Sequence, residues 1–237
     1  MKVIEQVAIV EDSFYRQDVL GRIEKAARTC YKSEGKICQG SASKMLTKLI
    51  QRGHEAMLEH ACGTVRFVTD RGVTHEMVRH RIASFAQEST RYCNYNDDRF
   101  GKELTFIKPV FWDNDDDTYA TKTSTMMYRR WEGAMRMAEK AYMEMIEDGA
   151  NPGEARTVLP NSLKTEIVVT ANMREWRRIF VLRTAPDAHP QMVALMKPLL
   201  GYCASIIPEL FGDIAQAQQV DFGHTIIQAQ QKGLEVR

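Results

Sequence analysis

Apolar side chains recur along this chain in two rhythms, one of helices and one of strands. Val19, Leu20, Ile23, Ala26 and Ala27 fall three or four residues apart across Arg16–Thr29, which predicts an amphipathic helix. A second stripe, Met45, Leu46, Leu49 and Ile50, predicts another. Ser41 or Ser43 is placed to cap its start and Gly53 to end it, after a loop at 35–40. Residues 2–10 alternate and read as an opening strand. So do residues 62–69, with Val65, Phe67 and Thr69 on one face. Asp70 is a cap for a helix running through Arg81, with Val73, Met77 and Val78 toward the core.

Residues 92–117 have no sustained period. A short strand is expected at 104–107, and the acidic run at 113–117 reads as a solvated loop. Residues 118–148 carry the clearest helical signal, with Met127, Trp131, Ala134, Ala138, Ala141, Met145 and Ile146 in one stripe and Gly149 as its stop. The Met and Trp content of that stripe reads as ordinary core before it reads as a cofactor wall. Residues 163–171 are rich in β-branched side chains and predict a strand. Met173–Arg183 predicts a helix loaded with arginine, and 189–210 a helix that tolerates Pro198. No repeat, low-complexity tract or linker interrupts the chain. The expected architecture is a single mixed α/β (α+β) domain over residues 1–237, with helices packed around a sheet.

Composition narrows the classes. With 237 residues, 44% hydrophobic and 27% charged, the chain can bury a sizeable core and reads as soluble and globular. Its 32 Lys and Arg against 31 Asp and Glu leave a net charge of +1, which argues against a general nucleic-acid binder. No apolar run approaches the about 20 residues that span a bilayer. The opening MKVIEQVAIV contains Glu5 and does not read as a signal peptide, so no membrane partner is expected. Cys30, Cys38, Cys62, Cys93 and Cys203 are odd in number, widely spaced and without a C-x-x-C. That argues against a disulfide framework or zinc knuckle and points to the cytoplasm.

The chemistry concentrates in residues 79–91, RHRIASFAQESTR. Arg79, Arg81 and Arg91 are permanent cations with planar forks of donors that match phosphate; His80, Ser84, Gln87 and Ser89 sit among them. A solvated basic turn is the competing reading. If the helix continues through both, Arg79 and Arg81 point about 200° apart, toward two ligands or two subunits. His75 would then share a face with Arg79, and Glu76 with His80.

A second cluster holds Arg174, Arg177, Arg178 and Arg183. Arg174 and Arg178 share one helical face, and Asn172 is placed as the cap; a solvated helix surface competes. No G-x-G-x-x-G and no P-loop occurs among the 14 glycines. Phosphates of a bound nucleotide would fall to side chains, each charge-assisted contact contributing about 1.5–3 kcal/mol.

Other constellations are weaker. His54, Glu55, Glu59 and His60 could suggest a metal hydrolase, but the two histidines are six apart, not four. His60 reads as a core or capping histidine. Ser89 has no G-x-S-x-G context and no nearby base in sequence, and nothing clearly lowers the Cys93 thiol, which reads as inert. A nucleotide- or RNA-binding module without catalysis is the alternative of a different class.

Arg79-His80-Arg81, seven residues and then Ser89, with Thr90, Arg91 and Tyr92 following, resembles the signature of the flavin-dependent thymidylate synthases. So do Arg156-x-x-Leu159-Pro160 and Leu182-Arg183 followed by Asp187 and His189; the resemblance runs through most of the chain in order and spacing. It implies a non-Rossmann flavin-binding fold and reductive methylation of dUMP to dTMP. The one-carbon donor would be 5,10-methylenetetrahydrofolate, and NADPH-reduced FAD the hydride donor. It places His54, Glu59, Arg79, His80, Arg81, Ile82, Asn172, Arg174 and His189 at the flavin. It places Glu76, Arg79, Gln87, Glu88, Ser89, Arg91, Arg156 and Arg183 at dUMP, with Arg183 and Ser89 at the reacting centre and Ser89 as a uracil contact, not a nucleophile. It also implies a homotetramer with active sites shared between subunits. Family members differ in which of positions 87 and 88 is acidic, so which of Gln87 and Glu88 meets the pyrimidine stays open. Some carry asparagine at the position matching Arg178, and some have one residue fewer between the positions of Arg183 and His189.

Overall fold

A computed structural model of the chain describes residues 1–11, 14–112 and 122–222. The alternating N-terminal stretch forms two strands, β1 (Lys2–Ile4) and β2 (Val7–Val10), not one. Gln6 breaks it: its amide donates to the Gln191 carbonyl at 2.8 Å and accepts from the Thr69 hydroxyl at 2.9 Å. Helix α1 (Arg16–Thr29) forms as the periodicity expects. Before α2 (Ser41–Gln51) the cap is Gly40 at φ 76°, not a serine. The Ser41 hydroxyl turns back to Cys38, and the Ser43 hydroxyl donates to Glu209 at 2.7 Å. Gly53, at φ 67°, does end α2; the Gly53 N–H bonds Ile50 and the His54 N–H bonds Leu49, which satisfies the last carbonyls and fixes where His54 emerges.

Strand β3 (Cys62–Asp70) leads into α3 (Arg71–Met77), whose cap is Asp70 accepting from the Val73 N–H at 2.7 Å. The helix stops at Met77, short of Arg81, and leaves Val78 exposed. The chain turns there into β4 (Ala83–Gln87), a strand that the pattern does not announce because Ser84 and Ala86, its outward residues, alternate with a modest Ala83, Phe85 and Gln87. Strand β5 (Thr105–Ile107) follows. Helix α4 (Lys122–Glu147) buries Tyr128, Met135 and Tyr142, whereas Met127 and Ala134 of the expected stripe are exposed. The two tyrosines and Met135 offer more apolar surface than the alanines and set the rotation of the helix. Gly149, at φ 97°, ends it. The acidic run at 113–117 and the first residues of the expected helix lie outside the described residues.

Helix α5 (Pro152–Ala155) opens with a capping box between Asn151 and Glu154. Strand β6 (Lys164–Asn172) runs directly into α6 (Met173–Arg183). The expected helix over 189–210 is two, α7 (Pro190–Ile206) and α8 (Pro208–Ala217). Pro208 has no N–H and disfavours helical backbone at Ile207. Pro198 is tolerated inside α7, on a side where Ala194, whose carbonyl it leaves without a donor, is also exposed.

The main sheet is antiparallel with order β2-β3-β6-β4, and β1 pairs in parallel with β5. One sheet face contributes Phe67 and Val169 to a core shared with Trp176, Phe180 and Phe211 of the helices. A smaller cluster joins Tyr95, Leu104, Phe106 and Leu163 to Met135 and Tyr142 of α4. Among the described residues no helix is long and apolar enough to cross a membrane. Helix α6 is pinned to the sheet by Trp176, whose indole N–H donates to the Gly63 carbonyl at 3.0 Å while its ring meets Phe14 edge-on.

That close approach leaves no room at Gly63, where an added methyl would strike the Phe14 ring. Gly133, within α4, has no heavy atom near its would-be methyl. The same substitution therefore has opposite signs. Gly63→Ala is expected to destabilise by about 1–3 kcal/mol, and Gly133→Ala to stabilise by about 0.5–1 kcal/mol. Denaturant titrations of both variants check this; equal effects would contradict the packing described.

Candidate active site

The 79–91 segment is split by β4 into two ends about 17 Å apart, the length of a five-residue strand. Arg79, His80, Arg81 and Ile82 precede the strand; Glu88, Ser89 and Arg91 follow it. Because α3 stops at Met77, the directions of Arg79 and Arg81 are set by a turn, not by helical geometry. The turn is closed by the Arg79 and His80 N–H groups donating to the Glu76 and Met77 carbonyls.

At the first end the backbone drops His80 into the protein. It is buried, and its Nδ1 lies 3.1 Å from the Glu175 carboxylate of α6. Its Nε2 accepts from Arg183 Nε at 3.0 Å. Arg183 also donates from Nη1 to the Glu76 carboxylate at 2.7 Å and from Nη2 to the Glu76 carbonyl at 2.9 Å. Three of its five N–H bonds are thus committed, and two remain for a ligand. Burial pushes the His80 imidazole below its ordinary pKa; the Glu175 carboxylate opposes this, and the charges of Arg183 and Arg178 add to it. His80 is held neutral.

Around this network lies a cleft of about 740 Å³, lined by Val78, Arg79, His80, Arg81, Ile82, Glu175, Arg178, Leu182 and Arg183. A second, of about 520 Å³, adjoins it across Ile82, Glu175, Arg178 and Leu182 and extends to Glu55, Glu59, Asn172, Arg174, Arg177 and Val181. The guanidinium groups of Arg79, Arg81 and Arg178 have no hydrogen-bond or ion-pair partner among the described residues. Ile82, Val181 and Leu182 are exposed beside them. Unpaired guanidinium groups beside an apolar wall suit a ligand with phosphates and a flat ring system.

The other expected cofactor residues divide. Asn172 caps α6, its side chain accepting from the Glu175 N–H at 2.8 Å, and it lines the second cleft. Glu59 and Arg174 form an ion pair at 2.6 Å on that cleft's rim. His54 is exposed at the turn that ends α2. His189 lies apart, exposed at the start of α7 with its ring edge-on to Phe111. His60 is exposed, neither core nor cap as expected, at the end of a short 3-10 turn over Glu55–His60. In that turn Glu55 and Glu59 face Arg174, so their carboxylates serve a guanidinium.

At the second end Gln87 and Glu88 are both drawn into the fold. The Gln87 amide donates to the Thr74 and Thr165 hydroxyls at 2.9 and 3.3 Å. Glu88 accepts from the Tyr95 hydroxyl at 2.8 Å and from Lys164 at 3.1 Å. Burial works against the Lys164 ammonium, but Glu166 and Glu88 outweigh it and hold its pKa above the ordinary value. Ser89 Oγ accepts from the Arg91 N–H at 3.3 Å and, among the described residues, faces no base; its hydroxyl is left to donate. The Cys93 thiol is pushed up by burial and by Glu88, against a nucleophilic thiolate. Arg91 packs over Tyr92 and beside Gly153, which brings the start of α5 and the exposed Arg156 to the same end. Two residues escaped the sequence reading. Lys164 opens β6, where a charge reads as a strand boundary. Glu175, three residues after the Asn172 cap, reads as a helix-start glutamate.

Comparison with known proteins agrees over most of the chain. The family described as thymidylate synthase complementing protein matches residues 14–209. A flavin-dependent thymidylate synthase of Geobacter sulfurreducens is 33% identical over 195 residues, 79% of this chain and 78% of that protein. One of Mycobacteroides abscessus is 31% identical over 215 residues, 84% of this chain and 81% of that protein. A UMP/dUMP methylase from Streptomyces cacaoi, solved with 5-Br dUMP, shares the fold at a TM-score of 0.72 and 21% identity, over 92% of this chain and 97% of that one.

The buried neutral His80 has a consequence for stability. Its folded pKa lies below the unfolded value. Below about pH 6.5 the unfolded chain therefore takes up a proton that the folded ring resists. The stabilising contribution is present above that pH and lost as pH falls, with a limiting slope of about 1.4 kcal/mol per pH unit. Denaturant titrations between pH 8 and 5 are expected to show a steeper acid loss for the parent than for His80→Gln. Parallel curves would contradict a depressed His80.

Proposed function

The chain belongs to the thymidylate synthase complementing protein family, the flavin-dependent thymidylate synthases, and we propose that it methylates dUMP to dTMP as a flavoprotein methyltransferase. The observation that carries this reading is the row of unpartnered guanidinium groups, Arg79, Arg81 and Arg178, beside the apolar Ile82 and Leu182 in adjoining clefts without a Rossmann turn or P-loop. Cations for a diphosphate beside a wall for a flat ring fit FAD. When bound, the reduced flavin would supply the hydride. NADPH as the reductant and 5,10-methylenetetrahydrofolate as the one-carbon donor complete the proposed reaction, in a single domain over residues 1–237.

In this reading Arg79, His80, Arg81 and Ile82 hold the flavin with His54, Glu59, Asn172, Arg174 and His189. The dUMP site is formed by Glu76, Arg79, Gln87, Glu88, Ser89, Arg91, Arg156 and Arg183. Arg183 has two N–H bonds to spare and a permanent charge, suited to stabilise negative charge developing on the pyrimidine. Ser89 orients the uracil by a hydrogen bond; among the described residues no base meets its hydroxyl to make it a nucleophile. The two ends of the 79–91 segment are separated by the whole of β4. A site needing both is closed most simply by joining one end from one subunit to the other end from its neighbour, and the assembly proposed is a homotetramer. Five unpaired cysteines, three of them exposed, suit the reducing cytoplasm.

Two measurements test this. Mass spectrometry of ligand released from the denatured protein is expected to find FAD; absence of flavin, with no binding on reconstitution, would remove the reading. Ser89→Ala is expected to weaken dUMP binding by about 0.5–1.5 kcal/mol and to retain dTMP formation, with Arg183→Ala costing about 1.5–3 kcal/mol in binding. A Ser89→Ala protein that binds dUMP normally but makes no dTMP at saturating substrate would instead indicate a nucleophile.

A further inference from the structure

We propose that Glu175 is a positioning residue: it fixes the tautomer of His80 and, through that ring, the aim of Arg183. The geometry leaves one arrangement of protons. A guanidinium is always charged and has no acceptor, so the Arg183 Nε–H that lies 3.0 Å from His80 Nε2 requires a lone pair there. The ring proton is then on Nδ1 and donates to the Glu175 carboxylate at 3.1 Å. The opposite tautomer would set N–H against N–H at Arg183 and a lone pair against a carboxylate at Glu175. Imidazolium would repeat the first of those conflicts. The two contacts, one on each side of the ring, therefore select the same neutral form.

Glu175 is 5% exposed. A carboxylate at such a depth is costly unless hydrogen-bonded, and an apolar side chain would fill the space at lower cost. What Glu175 adds is direction. With Nδ1 tied down, the ring cannot flip, and Nε2 stays an acceptor facing α6. Arg183 is then held at three of its N–H bonds, one on His80 and two on Glu76, and its remaining two have a fixed direction. The three members come from α3, the turn after it and α6, so a single buried carboxylate aligns the expected flavin residue with the expected dUMP residue. The functional half of this inference rests on the role proposed above for Arg183; the tautomer does not.

The test combines ring 15N–1H spectra of histidine with calorimetric titration of the flavin-loaded protein by dUMP, at pH 8, for the parent, Glu175→Gln and Glu175→Leu. A His80→Gln spectrum assigns the signals. The parent is expected to show His80 protonated at Nδ1 alone. Glu175→Gln should keep that form, since its amide oxygen still accepts, with near-parent dUMP affinity. Glu175→Leu removes the acceptor that keeps the ring from turning away from Arg183, and should show mixed tautomers and dUMP affinity about tenfold weaker. An Nε2–H ring in the parent, or an unchanged ring in Glu175→Leu, would overturn the assignment. Mixed tautomers with parent-like dUMP affinity would overturn the link to Arg183. If Glu175→Leu fails to fold, the parent and Glu175→Gln spectra decide. A parent that binds no dUMP would overturn the proposed function but not the tautomer, which the spectra decide by themselves.

Discussion

Glu175 lies buried on α6 against His80, and a carboxylate there is tolerated only where a donor meets it. His80 supplies that donor, Arg183 fills the other side of the ring, and Glu76 holds Arg183. Each member is satisfied by the next, which is what makes a polar network in a low-dielectric setting rigid instead of costly. The network needs α6 pressed against the sheet, and that approach depends on Trp176 reaching the Gly63 carbonyl past the edge of Phe14. A methyl-sized change in β3 is thus felt at the site through the helix that carries Glu175 and Arg183.

Beyond this network the clefts present the guanidinium groups of Arg79, Arg81 and Arg178, which have no partner among the described residues. The chain carries a net charge of +1, so these are local features and not part of a basic surface. Arg177, by contrast, is spent on Asp213 and the Leu210 carbonyl, and Arg174 on Glu59. Four arginines of one helix therefore divide by partner: Arg177 ties α6 to α8, Arg174 pairs with Glu59 on the rim of the cleft, Arg183 is aimed, and Arg178 is left open among the described residues. Fixed donors directed at a ligand's charge need no reorganisation when it arrives.

Much of this is legible in the residues. The periods of Arg16–Thr29 and Met173–Arg183 give both helices with their bounds, and Asp70 and Asn172 cap where the pattern places a cap. The arginine and hydroxyl residues of 79–91 suit an anion by their types, but a solvated basic turn fits the same composition, and the specific reading of their spacing comes from the family resemblance. Legibility fails where local pattern is weak or tertiary contacts decide. Strand β4 has small outward residues and is defined by its pairing with β6. The α4 stripe follows Tyr128, Met135 and Tyr142 because side-chain size, not count, sets the buried face. Glu175 is hidden because a glutamate three residues after an asparagine cap belongs to ordinary helix-start chemistry, while its carboxylate in fact turns to a histidine 95 residues away in sequence.

In the proposed reaction these residues would hold a flavin and a pyrimidine nucleotide so that the reduced flavin gives its hydride to the methylated pyrimidine as it forms. An anaerobic single turnover tests it most directly. Protein reduced with NADPH is mixed with dUMP and 5,10-methylenetetrahydrofolate, and flavin absorbance is followed while dTMP is counted. The flavin is expected to reoxidise with one dTMP formed per flavin. A flavin that stays reduced while dTMP accumulates, or that reoxidises without dTMP, would contradict it.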